Sequence, residues 1–377
     1  MSEPALEMDQ ELARRLLIDG ATFIFLDVPP GTEFGIDMKS WNTGEKFRGV
    51  KMIPPGLHYV HYSAVNNEGD AAPRVGFIHN FQKSEFLVKK WDPVTEDIST
   101  AEIEEEEKAR LKSNLLNLDR YLGPYPFDVW KKWRALTSKI TVELVSKLIP
   151  ETGLIRSALE LVSCDKSMGS PASKRRRSRT VEEKEEDLLP QLKPSPGTEL
   201  RFTSFPERTY PEGASPKEIT LHSIDSTYTL EAILKKFDSA TDLIGELQFA
   251  FVCFLVGHSL EAFEHWKRLV GLLCSCEKAV PKYREMYSDF LTALEAHLIE
   301  IPEDFLVDIV ASNNFVYCNL RKLFLTIQLH EAVDGRLKSK AAHFKERLTE
   351  HFQWDFAHLE REEDDEAPVV VNPDGSY

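Results

Sequence analysis

The sequence of 377 residues has no run of 18 apolar residues, and its first eleven residues are acidic without an apolar core. We therefore expect neither a membrane-spanning helix nor a secretory signal. Cysteine is scarce, with five in the chain, and Cys274-Ser275-Cys276 has no second pair to complete a zinc site. A disulfide framework and a structural zinc site are thus excluded, and a reducing compartment is expected.

Basic residues are also in the minority. The chain has 46 Lys and Arg against 62 Asp and Glu, which gives a formal net charge of −16. Affinity for a nucleic-acid duplex needs clustered cations, so most of this surface is unsuited to it. We expect any contact with RNA to be indirect, weak or confined to one segment.

The catalytic motifs HExxH, GxSxG and paired CxxC do not occur. Gly31–Gly35 lacks the lysine and the helix start of a phosphate loop, so it is interpreted as a turn that enters a strand. His58 and His61 lie three apart on a predicted strand and point to opposite faces, which is wrong for a shared metal. Glu261 and His265 have i,i+4 spacing and are predicted to be a solvated pair on a helix. No enzyme, metal site or cofactor is therefore expected.

The first part of the chain is predicted to be β-rich. Short runs of aromatic and β-branched residues are separated by Gly, Pro and Asn, and Pro54-Pro55-Gly56 is interpreted as a hairpin tip. The runs are Thr22–Val28, Glu33–Asp37, Lys46–Ile53, Leu57–Ser63, Val75–Phe81 and Glu85–Trp91. Connections this short favour a mainly antiparallel sheet. Helical patterns follow, the first with capping-box spacing at Ser99 and Glu102, and complete a predicted α+β domain over residues 1–163 with helices that cover the sheet.

Residues 164–196 have almost no aromatic residues, many Ser and Pro, and a basic block before an acidic one. Such a segment buries too little apolar surface to offset its ordering, so it is predicted to be a disordered linker. Its basic run supports three interpretations: a nuclear import signal, an RNA tether or a solubilising run. The basic residues of this run are Lys174, Arg175, Arg176, Arg177 and Arg179.

Residues 197–357 are predicted to form an all-α domain after one short strand at Thr198–Ser204. Ser215-Pro216 with Glu218 has the capping box and N1 proline of a helix start. The organising element is an αα-hairpin: Phe249–Val256 is entirely apolar, Gly257 is expected to end this helix in a left-handed turn, and an amphipathic helix follows.

Residues 358–377 are predicted to be an acidic, flexible tail. A β-branched run follows the acidic residues and suits the addition of a strand to a sheet edge. The partner-binding residues are predicted to be Pro368, Val369, Val370 and Val371. Pairing with a partner protein and pairing with the chain's own domain both remain open.

Several stretches resemble those of the Aar-two splicing factors, in the same order across both predicted domains. They are Gly31–Asp37, Phe47–Gly56, Leu122–Pro126, Gly245–Leu255, Ala262–Lys267 and Ala367–Val371. The run Lys174–Arg179 departs from the family pattern, so import through it is a separate hypothesis.

The resemblance implies a non-enzymatic assembly factor of the U5 small nuclear ribonucleoprotein, found in nucleus and cytoplasm. It implies binding to the RNase-H-like and C-terminal domains of the scaffold protein Prp-eight, which holds off the helicase Brr-two. It also implies a VHS-like helical domain and a tail that bridges scaffold domains. The alternative is a VHS-like adaptor in trafficking. A monomer is expected in isolation.

Overall fold

The computed structural model describes residues 10–66, 68–159, 161–163, 192–301 and 315–352, together with 354 and 356. The contacts divide the chain into two compact units. The first contains Met1–Thr137, Thr141–Phe202 and Val252–Phe263, and the second contains Ser138–Ile140, Thr203–Phe251 and Glu264–Tyr377. Each unit is described by itself.

The strands of the first unit form two five-stranded sheets and one isolated pair. The strands are β1 Ala21–Leu26, β2 Glu33–Ile36, β3 Lys39–Asn42, β4 Gly49–Ile53, β5 Gly56–Ser63, β6 Val75–Phe81, β7 Phe86–Asp92, β8 Asp97–Ile98, β9 Leu122–Pro124, β10 Ile155–Arg156, β11 Leu161–Ser163 and β12 Leu192–Pro194. Sheet I has the order β8-β7-β1-β4-β9, and sheet II has the order β10-β6-β5-β2-β3.

The pairing is mainly antiparallel, as the sequence predicts. Only β1 with β7 and β4 with β9 run parallel among the described strand pairs. The predicted hairpin tip at Pro54-Pro55-Gly56 is wrong, because β4 belongs to sheet I and β5 to sheet II. Two prolines lack backbone donors and therefore suit a crossing between sheets as well as a turn.

The core of the first unit lies between the two sheets. It is built around aromatic side chains from both, with Phe23 and Phe25 of sheet I against Phe34 and Tyr62 of sheet II. The opposite face of sheet I carries a smaller apolar cluster that includes Ile24 and Val88. Because side chains alternate along a strand, β1 contributes to both clusters.

The first unit has five described helices, of which α1 precedes the strands and the others come after β8. They are α1 Gln10–Asp19, α2 Glu105–Ser113, α3 Leu115–Leu118, α4 Trp130–Leu136 and α5 Val142–Leu148, with 3₁₀ turns at Asp119–Tyr121 and Phe127–Val129. Leu111 and Leu115 pack on the smaller apolar cluster of sheet I, which includes Ile24 and Val88. The capping box predicted at Ser99 is wrong, because α2 begins six residues later and its N-cap, Glu104, makes no side-chain cap bond.

The residues just before the predicted linker pair with residues near its end, because β11 and β12 form an antiparallel ribbon and β12 lies within the range 164–196. The residues between these two strands lie outside the described ones, so the linker remains a prediction. The strand predicted at Thr198–Ser204 is wrong: this segment belongs to no strand. Its backbone groups find other partners, such as Arg201 N–H, which donates to the Leu148 carbonyl at 2.8 Å.

Every regular element described in the second unit is helical, which confirms the predicted fold class. The helices after the linker are α6 Pro216–Ile224, α7 Thr227–Leu234, α8 Ala240–Leu255, α9 Leu260–Cys274, α10 Ala279–Lys282, α11 Arg284–Glu300, α12 Phe315–Leu329 and α13 Gly335–Phe352. The capping box at Ser215 is confirmed, with Glu218 N–H donating to Ser215 Oγ and Ser215 N–H donating to Glu218. The likeness to a VHS fold remains a prediction.

The predicted αα-hairpin is present as α8 and α9, and Phe249–Phe254 is buried throughout. The left-handed residue of the turn is His258, with φ of 57°, and not Gly257. Glycine is required at 257 for another reason: a Cβ there would clash with the Tyr59 hydroxyl oxygen and lie 2.6 Å from the Cys253 carbonyl oxygen. The turn therefore depends on close approach to a side chain and not on backbone freedom at Gly257.

Candidate interaction surfaces

Both sets of site residues predicted from the sequence lie outside the described residues. These are the basic run Lys174–Arg179 and the tail run Pro368–Val371. Their roles therefore remain predictions, and the described part of the chain is where chemistry and surfaces have been sought.

The pair predicted between Glu261 and His265 does not form. His265 is buried, and its Nε2 donates to Glu246 Oε1 of α8 at 2.7 Å. Glu261 is half-buried, and desolvation raises the pKa of its carboxyl above the usual range. The i,i+4 spacing is correct, but His265 lies on the side of α9 that faces the interior, where a carboxylate nineteen residues earlier is its partner.

Glu246 is fully buried and satisfies three donors. Besides His265, it accepts from Thr203 N–H at 2.8 Å through Oε1 and from the Thr203 hydroxyl at 2.7 Å through Oε2. Phe205 then packs its ring on the His265 imidazole, and the Arg268 guanidinium lies 4.1 Å above Phe205. A carboxylate inside the second unit thus holds the segment Thr203–Phe205, which is a structural role.

Asp37 is to the first unit what Glu246 is to the second: a buried carboxylate that accepts three hydrogen bonds. Its Oδ1 accepts from Tyr59 N–H at 3.0 Å, and its Oδ2 accepts from His58 Nδ1 at 2.7 Å and from the Tyr125 hydroxyl at 2.5 Å. His58 Nε2 donates to the Pro54 carbonyl at 2.8 Å, which fixes a proton on that nitrogen. Asp37, His58 and Tyr125 are thus engaged with one another and with the backbone inside the first unit, which is a structural role.

His297 is a buried base in the second unit. Trp266 Nε1 donates to its Nδ1 at 3.1 Å, and Phe251 stacks on its ring at a centroid distance of 4.0 Å. Burial lowers the pKa of His297 from 6.5 to about 3. The imidazole is therefore neutral in the folded chain at pH values where an unfolded chain would protonate it.

This difference in proton binding predicts an acid-sensitive core. Since the unfolded chain binds more protons between pH 6.5 and about 3, stability falls as the pH falls through that window. At pH 5, His297 should reduce the free energy of unfolding by about 2 kcal/mol relative to pH 8. Urea unfolding of the His297→Gln variant, whose amide can still accept from Trp266, should show a loss on acidification smaller by that amount.

The exposed His343 provides the matched control. Its side chain is 76% accessible, so His343→Gln leaves the buried His297 in place and the loss on acidification assigned to His297 should persist. Equal acid dependence in the native chain and the His297→Gln variant would contradict the assignment.

The cysteines offer no reactive thiol in the described core. Cys253, Cys274 and Cys276 are buried, and burial raises the pKa of each thiol. A thiolate is therefore disfavoured at these positions. Among the described residues, no three His, Cys, Asp or Glu side chains are grouped to hold a metal. None of the described helices is long and apolar enough to span a membrane.

The described surface has grooves between secondary-structure elements. One, with a volume of about 210 Å³, lies between α12 and α13. Its floor includes Phe324 and the small residues Ala341 and Ala342, and Lys338 and Lys345 line it. Small residues allow close approach of another chain, and an apolar floor beside charged side chains is typical of protein-binding surfaces.

Sequence reasoning missed Glu246, Gln248 and Asp37. The first two stand among apolar residues in the buried part of α8, after its polar first turn, and Gln248 accepts from Lys139 N–H at 2.7 Å. Polar side chains at such positions need internal partners, and this was the available signal. Nothing in the local pattern distinguishes Asp37 from an ordinary turn residue.

Comparison with known proteins extends over both units. The sequence model of the AAR2 N-terminal domain matches residues 19–150, and that of the AAR2 C-terminal repeat region matches residues 202–357. A human protein named Protein AAR2 homolog is 45% identical over 383 residues, with 98% of each chain covered. A Caenorhabditis elegans protein of the same name is 37% identical over 358 residues, covering 92% of this chain and 97% of its own length.

A more distant relative is the A1 cistron-splicing factor AAR2 of Saccharomyces cerevisiae. It is 25% identical over 276 residues, covering 70% of this chain and 72% of its own length. With both domain models matched in order and animal relatives aligned almost end to end, the chain belongs to the AAR2 family.

Proposed function

We propose that this protein is a non-enzymatic splicing factor that assists the assembly of the U5 small nuclear ribonucleoprotein. The observation that supports this most is the alignment with AAR2 proteins over both domains. One of these relatives, the yeast protein, is named a splicing factor. The buried polar groups of the described residues also fit a binding protein, because Asp37 and Glu246 are enclosed and fully engaged in structural bonds.

The proposed partner is the scaffold protein Prp-eight, through its RNase-H-like and C-terminal domains. Binding there would hold off the helicase Brr-two until the precursor particle matures. Contact with RNA is indirect in this proposal, because the net charge of −16 opposes a broad phosphate-binding surface.

The tail carries the binding step that can be tested most directly. Pro368 lacks a backbone donor and suits the start of a strand, and Val369–Val371 has strong strand preference. Three residues do not form a stable strand alone, so a sheet edge of the partner supplies the backbone bonds. In this proposal, repulsion among the acidic residues of Glu360–Glu366 keeps the tail extended until it binds.

Deleting residues 367–377 should weaken binding to the two Prp-eight domains by at least about tenfold, since several backbone hydrogen bonds and the burial of three valines are lost together. Titration calorimetry with the purified domains measures the affinity, and thermal unfolding measures the stability, which should stay nearly constant. Deleting residues 372–377 alone is the matched control and should retain affinity.

The opposite pattern would contradict the bridging role. If the longer deletion lowers the melting temperature by several degrees and binding survives, the tail is a strand of the protein's own fold. The residues Lys174–Arg179 remain a proposed import signal, consistent with a protein that works in the nucleus and is present in the cytoplasm.

A further inference from the structure

The outer edge of β7 in sheet I is only partly paired. Its inner edge pairs with β1 from Phe86 to Lys90, and its outer edge pairs with β8 at Trp91 and Asp92. One more bond extends this outer ladder, from Ser99 N–H to the Lys90 carbonyl at 2.8 Å. Ser99 Oγ then accepts from Ala101 N–H at 3.2 Å, and the ladder stops.

The register shows which backbone groups of β7 face outward. Thr22 N–H donates to the Glu85 carbonyl, so Glu85, Leu87 and Lys89 present their backbone groups to β1. Phe86 and Val88 therefore present theirs to the other side. No strand among the described residues pairs with this side of Phe86 and Val88.

A cavity of about 550 Å³ extends along this edge, and all the residues that line it belong to the first unit. One wall is β7 itself, and the other is the chain from Ile98 to Lys108. The size is within the range of about 300–1,000 Å³ that is typical of ligand sites. The cavity therefore follows a strand edge that, at Phe86 and Val88, no other described strand pairs with, which is the arrangement used in strand addition.

Apolar side chains of the lining lie above and below the plane of the sheet, among polar ones that include Ser99, Thr100 and Thr152. On one face, Phe86 and Ile103 pack on the small cluster that contains Val88. On the other, Leu87 and Leu154 pack against the main core of the first unit. A strand placed here would be covered on both faces, and strands of that kind have continuous apolar runs instead of alternating ones.

The charged lining is net cationic, although the whole chain carries −16. Three lysines and two glutamates contribute to it. Lys108 pairs with Glu105 at 2.6 Å, and Lys90 pairs with Asp27 at 3.4 Å. Lys89 is half-buried and has no ion-pair partner within the described ranges. An acidic residue beside the apolar run of an incoming segment could therefore pair with the Lys89 ammonium group.

We propose that the outer edge of β7 binds an extended segment of a partner protein. The segment adds a strand to sheet I through the backbone groups of Phe86 and Val88. Its chemistry is a short run of β-branched apolar residues with acidic residues beside it. This surface is formed by residues other than those of the tail and does not depend on the proposed splicing role.

The test uses the full chain and a synthetic peptide with a run of valines flanked by glutamates. Fluorescence anisotropy of the labelled peptide measures binding, and amide hydrogen exchange locates it. On binding, the Phe86 and Val88 amides should exchange at least about tenfold more slowly. The Leu87 amide faces β1, so it should be slow with and without peptide and provides an internal reference.

Two controls separate strand addition from unspecific adhesion. A peptide with alternate backbone nitrogens methylated keeps its side chains but loses donors, and should bind at least about tenfold more weakly. Lys89→Glu should also weaken binding, whereas Lys46→Glu at an exposed turn should not.

Equal binding of the methylated peptide would overturn the proposal. So would Phe86 and Val88 amides that are already as protected as Leu87 in the free chain, because another part of the protein would then occupy the edge.

Discussion

Replacing Asp37 with Ala should lower the free energy of unfolding by about 3–5 kcal/mol, because several buried hydrogen bonds are lost together. The carboxylate accepts from Tyr59 N–H, His58 and Tyr125, and both it and the His58 side chain have no accessible surface. Its loss leaves three buried donors without an acceptor, and each unsatisfied group costs about 1–3 kcal/mol. Urea unfolding near neutral pH measures the change.

Asp27 provides a matched control for the backbone. Asp37 has φ of 54° and Asp27 has φ of 59°, so an alanine is strained to a similar degree at either position. Asp27 is exposed, and its described ion pair is with Lys90 at 3.4 Å. Asp27→Ala should therefore cost about 1 kcal/mol or less beyond that common strain. A loss at Asp37 no larger than at Asp27 would show that the buried bonds contribute little.

An asparagine at position 37 tests the carboxylate separately from the backbone, because asparagine tolerates a left-handed φ. Its carbonyl can still accept from Tyr59 N–H. Its NH₂ group cannot accept from Tyr125 or His58, so the variant should retain only part of the stability.

Replacing Glu246 with Ala should lower the free energy of unfolding by about 3 kcal/mol and release the segment Thr203–Phe205. Thr203 loses acceptors for both its backbone N–H and its hydroxyl, and His265 loses its bond to Oε1. A buried cavity the size of four side-chain atoms adds to the loss. Urea unfolding gives the stability, and hydrogen exchange at the Thr203 amide reports the release.

Glu264 on α9 is the control for this experiment, because its carboxylate is 64% accessible and pairs with Lys267 at an i,i+3 spacing. Glu264→Ala should change stability by no more than about 0.5 kcal/mol. The Glu246→Gln variant keeps an acceptor for Thr203 and should lie between the native chain and Glu246→Ala. Unchanged exchange at Thr203 in Glu246→Ala would contradict the role assigned to this carboxylate.

The sequence predicted those elements whose cause is local. The capping box at Ser215 depends on residues three apart, and the burial of Phe249–Phe254 follows from the absence of any polar face over that stretch. The six predicted strands, β1, β2 and β4 to β7, were found for the same reason, since each alternates or is apolar on its own. β3 and the short strands β8 to β12 were missed, because two to four residues carry too little pattern.

The contacts that sequence reasoning missed join residues far apart in the chain. β4 and β5 are consecutive strands with a short, proline-rich connection, yet they belong to different sheets. Nothing within either strand identifies its neighbour, because β-pairing depends on the packing of the whole core. His265 was likewise placed with its neighbour Glu261, although its partner Glu246 lies on the preceding helix.

The parallel pairings in sheet I have a consequence for synthesis of the chain. β1 ends at Leu26, its neighbour β7 ends at Asp92, and β9, which pairs with β4, ends at Pro124. At about 5–20 residues per second, the ribosome needs roughly 5–20 s to advance from residue 26 to residue 124. Throughout that interval sheet I lacks at least one strand, and the aromatic segment Ala21–Leu26 is prone to aggregate while it is unpaired. Ala21–Leu26 is therefore the part of the nascent chain that a chaperone has most reason to cover.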